Sequence, residues 1–206
     1  MWMLRDWLLN IFFPKICLGC HLKGISLCDK CLNNCRKSLG TPFIYIKSIY
    51  NFQDPLIKKS IHAIKYYHRK DLLIPLTKEL IEELKDYKDF IFIPIPMSRL
   101  KKYIRGYNQA EEIAKILSEK LSIPILNNTL VRNKNTKRQV QMKTRNERLK
   151  NPKNSFSIKS GDAREIKDKK IILVDDVITT GATINEVRNV LLKNGAKEVV
   201  AITIAH

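Results

Sequence analysis

Apolar positions along this chain follow two rhythms. Leu56, Ile57, Ile61 and Ile64 recur at helical intervals between Leu56 and Tyr67, a spacing that lines up side chains on one face of a helix. Helices are also predicted from about Pro75 to Leu84, from Asn108 to Leu121 and from Ala182 to Asn194. Between them lie short apolar runs, Phe90 to Ile93, Lys170 to Val174 and Glu198 to Ile204, which suit parallel strands covered on both faces. Phe43 to Ile46 with Ile49 and Tyr50 reads as a strand or hairpin, and Ile123-Pro124-Ile125 as a short strand. Strands alternating with helices at this spacing predict an α/β domain with a parallel sheet flanked by helices.

The first forty residues follow a different pattern. Leu4, Trp7, Leu8, Ile11 and Phe12 fall on one side of a short amphipathic helix, with Arg5, Asp6 and Asn10 on the other. The apolar stretch is well short of the ~20 residues of a spanning helix, and its mixed charge and missing small-residue cleavage site argue against a secretory signal. Packing against the body is the usual fate of such a helix. With Trp2 and Trp7 on a basic protein, residues 1–13 would also allow weak peripheral attachment to an acidic inner membrane. Gly40-Thr41-Pro42 closes this region, which divides the chain into a module at 1–40 and a main domain at 41–206.

Four cysteines in that module form Cys17-x2-Cys20-x7-Cys28-x2-Cys31. Each Cys-x2-Cys turn aims two thiolates at one point, and two such turns supply the four soft ligands of a closed, structural zinc site. Disulfides are the competing reading, but nothing else suggests export, and a cytoplasmic chain keeps its thiols reduced. Cys35 is left over as a buried thiol, with His21 and Asp29 as outer-shell or substitute ligands.

Charge narrows the classes of partner. In 206 residues, 38 Lys and Arg face 20 Asp and Glu, a formal charge of +18. Such a surface attracts nucleic acid, phosphate or acidic lipid heads, although base bias in the genome also produces Lys-rich chains. The charge is uneven: eight basic residues lie between Val131 and Lys150, against Glu147 alone. Leu130 to Phe156 is a long polar stretch of the kind a compact domain keeps for function, and it suits a mobile hood that closes over a site. Lys137, Arg138, Lys143, Arg145 and Arg148 are its candidate contacts to single-stranded DNA. With few aromatic residues among them, that contact would be mainly electrostatic.

The most informative stretch is Ile171-Ile172-Leu173-Val174-Asp175-Asp176-Val177-Ile178-Thr179-Thr180-Gly181-Ala182-Thr183. An apolar central strand carries two carboxylates at its carboxyl end, where open α/β sheets bind ligands. The following loop offers hydroxyls, a flexible glycine and the amides that open a helix, together an anion cradle. Acids next to an anion site imply a sugar phosphate, and the absence of a phosphate-loop Lys argues against a nucleoside triphosphatase. Asp175 and Asp176 cannot be the acidic pair of a receiver domain, which would need a further phosphorylated Asp and a distal Lys in the thirty residues after Asp176.

This stretch resembles the phosphoribosyl pyrophosphate motif of type I phosphoribosyltransferases. Together with the cysteine module and Arg105-Gly106-Tyr107-Asn108-Gln109-Ala110, the chain is similar to the ComF family of competence proteins from roughly Cys17 to His206. The resemblance implies that Asp175 and Asp176 meet the ribose 2′- and 3′-hydroxyls. It implies further that Thr179, Thr180, Gly181, Ala182 and Thr183 hold the 5′-phosphate, and that Mg²⁺ arrives with the pyrophosphate. The pyrophosphate loop would be Ile93 to Pro96 with Arg99, Lys101, Lys102 and Arg105, four cations within seven residues that independently suit a concentrated anion. Pro96, Arg99 and Arg105 are its candidate contacts, Arg99 less firmly because Lys102-Tyr103-Ile104 lengthens the family spacing. Thr136, Gln139, Arg145, Arg148 and Asn151 resemble hood residues.

Three functions follow: a cytoplasmic phosphoribosyltransferase-like protein of DNA uptake that contacts single-stranded DNA and other uptake proteins; a working transferase, with Asp175, Asp176 and Arg105 catalytic; and a zinc-containing nucleic-acid module without catalysis. The third leaves the carboxylate pair unexplained, and no segment identifies an acceptor for the second.

Overall fold

The computed structural model describes residues 15–41, 43–133 and 155–206. The amphipathic segment 1–13 and the hood residues Thr136, Lys137, Arg138, Gln139, Lys143, Arg145, Arg148 and Asn151 lie outside them.

The sheet consists of β1 (Ile46–Tyr50), β2 (Phe90–Pro94), β5 (Lys170–Val177) and β6 (Glu198–Ala205), in the order β1-β6-β5-β2 with every pairing parallel. Ile125 adds a parallel bridge to Phe92 beyond β2, where Phe92 N donates to Pro124 O at 2.8 Å and Leu126 N to Phe92 O at 2.9 Å. A separate antiparallel ribbon joins β3 (Leu130–Arg132) to β4 (Phe156–Ile158). These strands are the two ends of the segment read as a hood, and at three residues each they are too short to show a period in sequence.

Alternation along β5 sorts the core into two layers. Ile172 and Val174 face α2 (Pro55–Tyr66), α3 (Leu73–Glu83) and α5 (Gln109–Leu121), where Ile57, Ile61, Leu76, Leu80, Ile113 and Leu117 are buried with them. Ile171 and Leu173 face α7 (Ala182–Lys193), beside Ile184, Val187 and Leu191. The first layer also takes in Cys17, Leu27, Leu32 and Cys35, so the cysteine module, with its short helix α1 (Asp29–Asn33), shares the core of the main domain. Asp54 links them further: its carboxylate caps α2 through Leu56 N and Ile57 N and also accepts from Arg36 N at 3.0 Å.

The expected elements appear with several changes. Residues 43–50 form no hairpin: a turn closed by Ile46 N on Phe43 O leads into a single strand that pairs in parallel with β6. The helix expected from Pro75 begins at Leu73, after a 3₁₀ turn at Lys70–Leu72, because proline is tolerated in a first helical turn. Residues 99–105, expected as a loop, form a helix, α4 (Arg99–Arg105), capped by the Ser98 side chain and by Gly106 at φ 72°. A four-residue helix α6 (Ala163–Ile166) precedes β5.

Candidate functional site

Topology fixes where a ligand can enter. From β5 the chain returns through α7 to β6 on one side, whereas from β2 it leaves through α4 and α5 toward Ile125 on the other. Connections that diverge between neighbouring strands open a crevice at their carboxyl ends. Asp175, Asp176 and the loop after β5 form one wall. Pro94 pairs with Val174, and Ile95 N continues the ladder to Val174 O at 3.0 Å, which brings Pro96 level with Asp176 on the other wall.

The two carboxylates belong to the last turns of the strand pleat, since β5 runs on to Val177, and successive residues there face opposite sides. Asp175 faces the α7 side. It lines a cavity of about 40 Å³ with Ile178, Thr179, Thr180, Gly181, Ala182, Thr183 and Ile184. Burial raises its carboxyl to about 7 and the neighbouring Asp176 charge adds to the rise, while the Asp176 amide, which donates to Oδ1 at 2.9 Å, and Lys65 oppose it. Asp176 turns inward to the other layer and is 8% exposed. Its Oδ1 accepts from Val177 N at 2.8 Å, and its buried Oδ2 accepts no aligned hydrogen bond but forms an ion pair with Lys65 Nζ at 2.8 Å. One cavity therefore unites Asp175 with the expected phosphate loop and does not include Asp176.

The loop itself is built for close approach. Gly181 caps α7 at φ 73°, and a Cβ there would stand 2.5 Å from the Phe43 ring, so both conformation and space demand glycine. Ala182 N donates to Thr180 Oγ1 at 3.4 Å, and Thr179 and Thr180 are exposed. A much larger cavity, about 670 Å³, lies between α7 and the β4 strand and contains neither carboxylate.

Across the crevice, Asn108 ties the start of α5 to the end of β2 by donating from Nδ2 to Ile95 O at 3.0 Å. Arg105 donates to Gln109 Oε1 at 3.2 Å and lies 5.4 Å over the Tyr66 ring, while Gln109 Nε2 is buried without an acceptor. Arg99 is exposed on α4. Nothing local in the sequence distinguishes Lys65; only the packing of α2 beneath β5 brings it to Asp176. Gln109 belongs to the Arg105 to Ala110 motif, but its unpartnered donor is a tertiary feature.

The cysteine prediction meets a direct geometric test. The ligand sulfurs of Cys17, Cys20, Cys28 and Cys31 all lie within 4.8 Å of one another and could hold a metal ion. Cys28 Sγ is 3.7 Å from Cys17 Sγ and 3.6 Å from Cys20 Sγ, near the roughly 3.8 Å edge of a tetrahedron with ~2.3 Å zinc–sulfur bonds and far beyond the ~2.05 Å of a disulfide. Backbone room is equally tight: a Cβ on Gly19 would stand 2.7 Å from Cys31 Sγ. Burial pushes the Cys17 thiol up, but amides of Cys20, Cys28 and Gly19 outweigh it and bring it down to about 6; hydrogen bonding to Cys28, then burial, push Cys31 up to about 12. Thiols crowded in this way suit a cation at their centre. Cys35 stays apart, donating to Cys31 O at 3.4 Å, and Asp29 pairs with Lys78.

Residues 68–206 match the phosphoribosyl transferase domain family. The chain is 33% identical over 186 residues to competence protein ComFC of Streptococcus pneumoniae, covering 89% of this chain and 77% of that one. It is 41% identical over 107 residues to competence protein F of Haemophilus influenzae, covering 52% of this chain and just under half, 46%, of that protein. Among solved structures, glutamine phosphoribosylpyrophosphate amidotransferase from B. subtilis superposes with a TM-score of 0.47 at 19% identity, over 70% of this chain and 30% of that one. The chain thus carries a phosphoribosyl transferase domain and belongs to the ComF family of phosphoribosyltransferase-like competence proteins.

Proposed function

We propose that the crevice binds phosphoribosyl pyrophosphate, in a protein that serves DNA uptake. The observation that carries this reading is the single cavity shared by Asp175 and residues 178–184, an acceptor for sugar hydroxyls directly beside an anion cradle. The 5′-phosphate sits on Thr179, Thr180, Gly181, Ala182 and Thr183. The pentose spans the end of β5, so that Asp175 and Asp176 each accept from a hydroxyl, Asp176 from its own face of the strand. Pyrophosphate lies toward Pro96, Arg99 and Arg105, and Mg²⁺ arriving with it offsets its charge. Calorimetric titration with phosphoribosyl pyrophosphate and Mg²⁺ tests the site: saturable heat is expected, and its absence removes the reading. Incubating labelled phosphoribosyl pyrophosphate with candidate amines and bases then separates a binder from a transferase through pyrophosphate release.

Lys65 is the ion-pair partner of Asp176 at 2.8 Å, and its charge also holds down the neighbouring Asp175 carboxyl. Without that charge, burial and Asp176 push the Asp175 carboxyl higher still. Lys65→Met is therefore expected to weaken phosphoribosyl pyrophosphate binding about tenfold at neutral pH and to move the rise of affinity with pH upward, while Lys65→Arg retains most of it. An unchanged pH profile in Lys65→Met rejects this role.

The zinc module at 1–40 staples the helical face of the transferase-like domain at 41–206, with Cys17, Cys20, Cys28 and Cys31 as ligands to Zn²⁺. The hood at about 130–156 closes over the crevice, and its cations, Lys137, Arg138, Lys143, Arg145 and Arg148, contact single-stranded DNA. Neutralising Lys137, Arg138 and Arg145 is expected to lower the salt slope of single-strand binding by about two, from ~0.7 per phosphate contact; an unaltered slope dismisses the hood as a contact. Among the described residues no helix is long and apolar enough to cross a membrane. We place the protein in the cytoplasm, with residues 1–13 as a weak attachment to the inner membrane.

A further inference from the structure

Helix α4 buries none of its own residues. Its form rests on the Ser98 cap and the left-handed Gly106, yet Leu100, Tyr103 and Ile104 stand 69%, 88% and 65% exposed. Four of its seven residues are cations, of which Lys102 meets a carboxylate, Glu111, at 3.1 Å, and Arg105 meets the neutral Gln109. Arg105 joins this helix to a second exposed group, since its guanidinium lies 5.4 Å over Tyr66. Tyr66 and Tyr67, 55% and 67% exposed at the end of α2, flank the exposed His62 with ring centroids 4.6 and 5.6 Å from it. A contiguous set of solvent-facing rings thus meets a strongly positive helix.

We infer that Tyr66, Tyr67 and α4 form a binding surface for single-stranded nucleic acid, with bases stacked on the rings and phosphates on Lys101 and Lys102. Interleaved π faces and positive charge fit a polyanion whose bases are free to stack. A duplex keeps those faces hidden in its own stack. An acidic bilayer would favour a broad apolar face, whereas here Leu100 and Ile104 are set among Arg99, Lys101, Lys102 and Arg105. This surface lies outside the hood and leaves Arg99 and Arg105 to the pyrophosphate.

Fluorescence anisotropy of labelled oligodeoxythymidine tests it on the full chain. Tyr66→Ala combined with Tyr67→Ala is expected to weaken binding at least about 25-fold, at ~5-fold or more for each of two lost stacked bases, with the salt slope unchanged because no charge is lost. Tyr66→Phe with Tyr67→Phe retains affinity, and an unaltered melting temperature and zinc content in the alanine variant excludes unfolding as the cause. Lys101→Gln with Lys102→Gln lowers the slope by about 1.4, two contacts at ~0.7 each. The proposal is overturned if the alanine variant binds as the parent does, if duplex binds as tightly as the single strand, if the ring variants lose acidic phosphatidylglycerol vesicles instead of DNA, or if neutralising the hood abolishes binding that is insensitive to the rings.

Discussion

Asp175→Ala combined with Asp176→Ala is expected to abolish the heat of titration with phosphoribosyl pyrophosphate and Mg²⁺. Each carboxylate accepts a charge-assisted hydrogen bond worth ~1.5–3 kcal/mol, so losing both weakens binding by roughly 10²–10⁴-fold. Asp175→Ala alone is expected to be no less stable than the parent, whereas Asp176→Ala leaves Lys65 without its ion-pair partner and costs stability. Asp175 is raised to about 7, first by burial and then by Asp176. A carboxyl whose folded value lies above its unfolded one holds its proton more tightly when folded, so its contribution to stability is full at low pH and is lost as pH rises toward and through 7. Asp175→Asn should therefore flatten the fall in melting temperature between about pH 4 and 7, and in the parent sugar phosphate affinity should climb toward pH 7 as Asp175 becomes an acceptor. Undiminished binding in the double variant sinks the sugar phosphate site.

That conflict between stability and binding could be read from the sequence only in part. The run from Ile171 to Val174 announced a buried strand, and the structure places β5 in the sheet interior with its Thr-Gly loop opening α7. Adjacent acids at a strand end predict one ligand but not how each acid is held: Asp175 joins the loop cavity, and Asp176, 8% exposed, pairs with Lys65. Lys65 is 111 residues from Asp176 in sequence, and no local pattern encodes a contact that depends on how α2 crosses the sheet. Helix α4 was hidden for the opposite reason. A helix that buries nothing has no apolar face packed on the core to betray it, and only Ser98 and Gly106 mark its ends. The cysteine spacing, by contrast, carried its geometry with it, because a metal site closed by two short turns is set locally.

Replacing Cys28 by Ser is expected to produce the largest loss of stability in the chain. Structural zinc sites contribute apparent free energies of ~10–16 kcal/mol in small peptides at neutral pH, as much as the whole ~5–15 kcal/mol of an ordinary domain. Cys28 lies close to both Cys17 and Cys20, and it starts α1, which carries Leu32 into the same core as Leu76 and Leu80 of α3. A chain without metal therefore loses more than a loop: the apolar underside of the module separates from α2 and α3. Metal analysis should return about one zinc per chain, and Cys28→Ser or a strong chelator should lower the melting temperature steeply. Cys35→Ser, outside the sulfur cluster, should keep the metal. Gly19→Ala tests the same geometry from the backbone, because its Cβ would press on Cys31 Sγ and should weaken zinc retention with every thiol intact. A metal-free protein that melts as the zinc-loaded one does would show that the four sulfurs converge without holding an ion, and the burial of Leu27 and Leu32 would then have to keep the module in place alone.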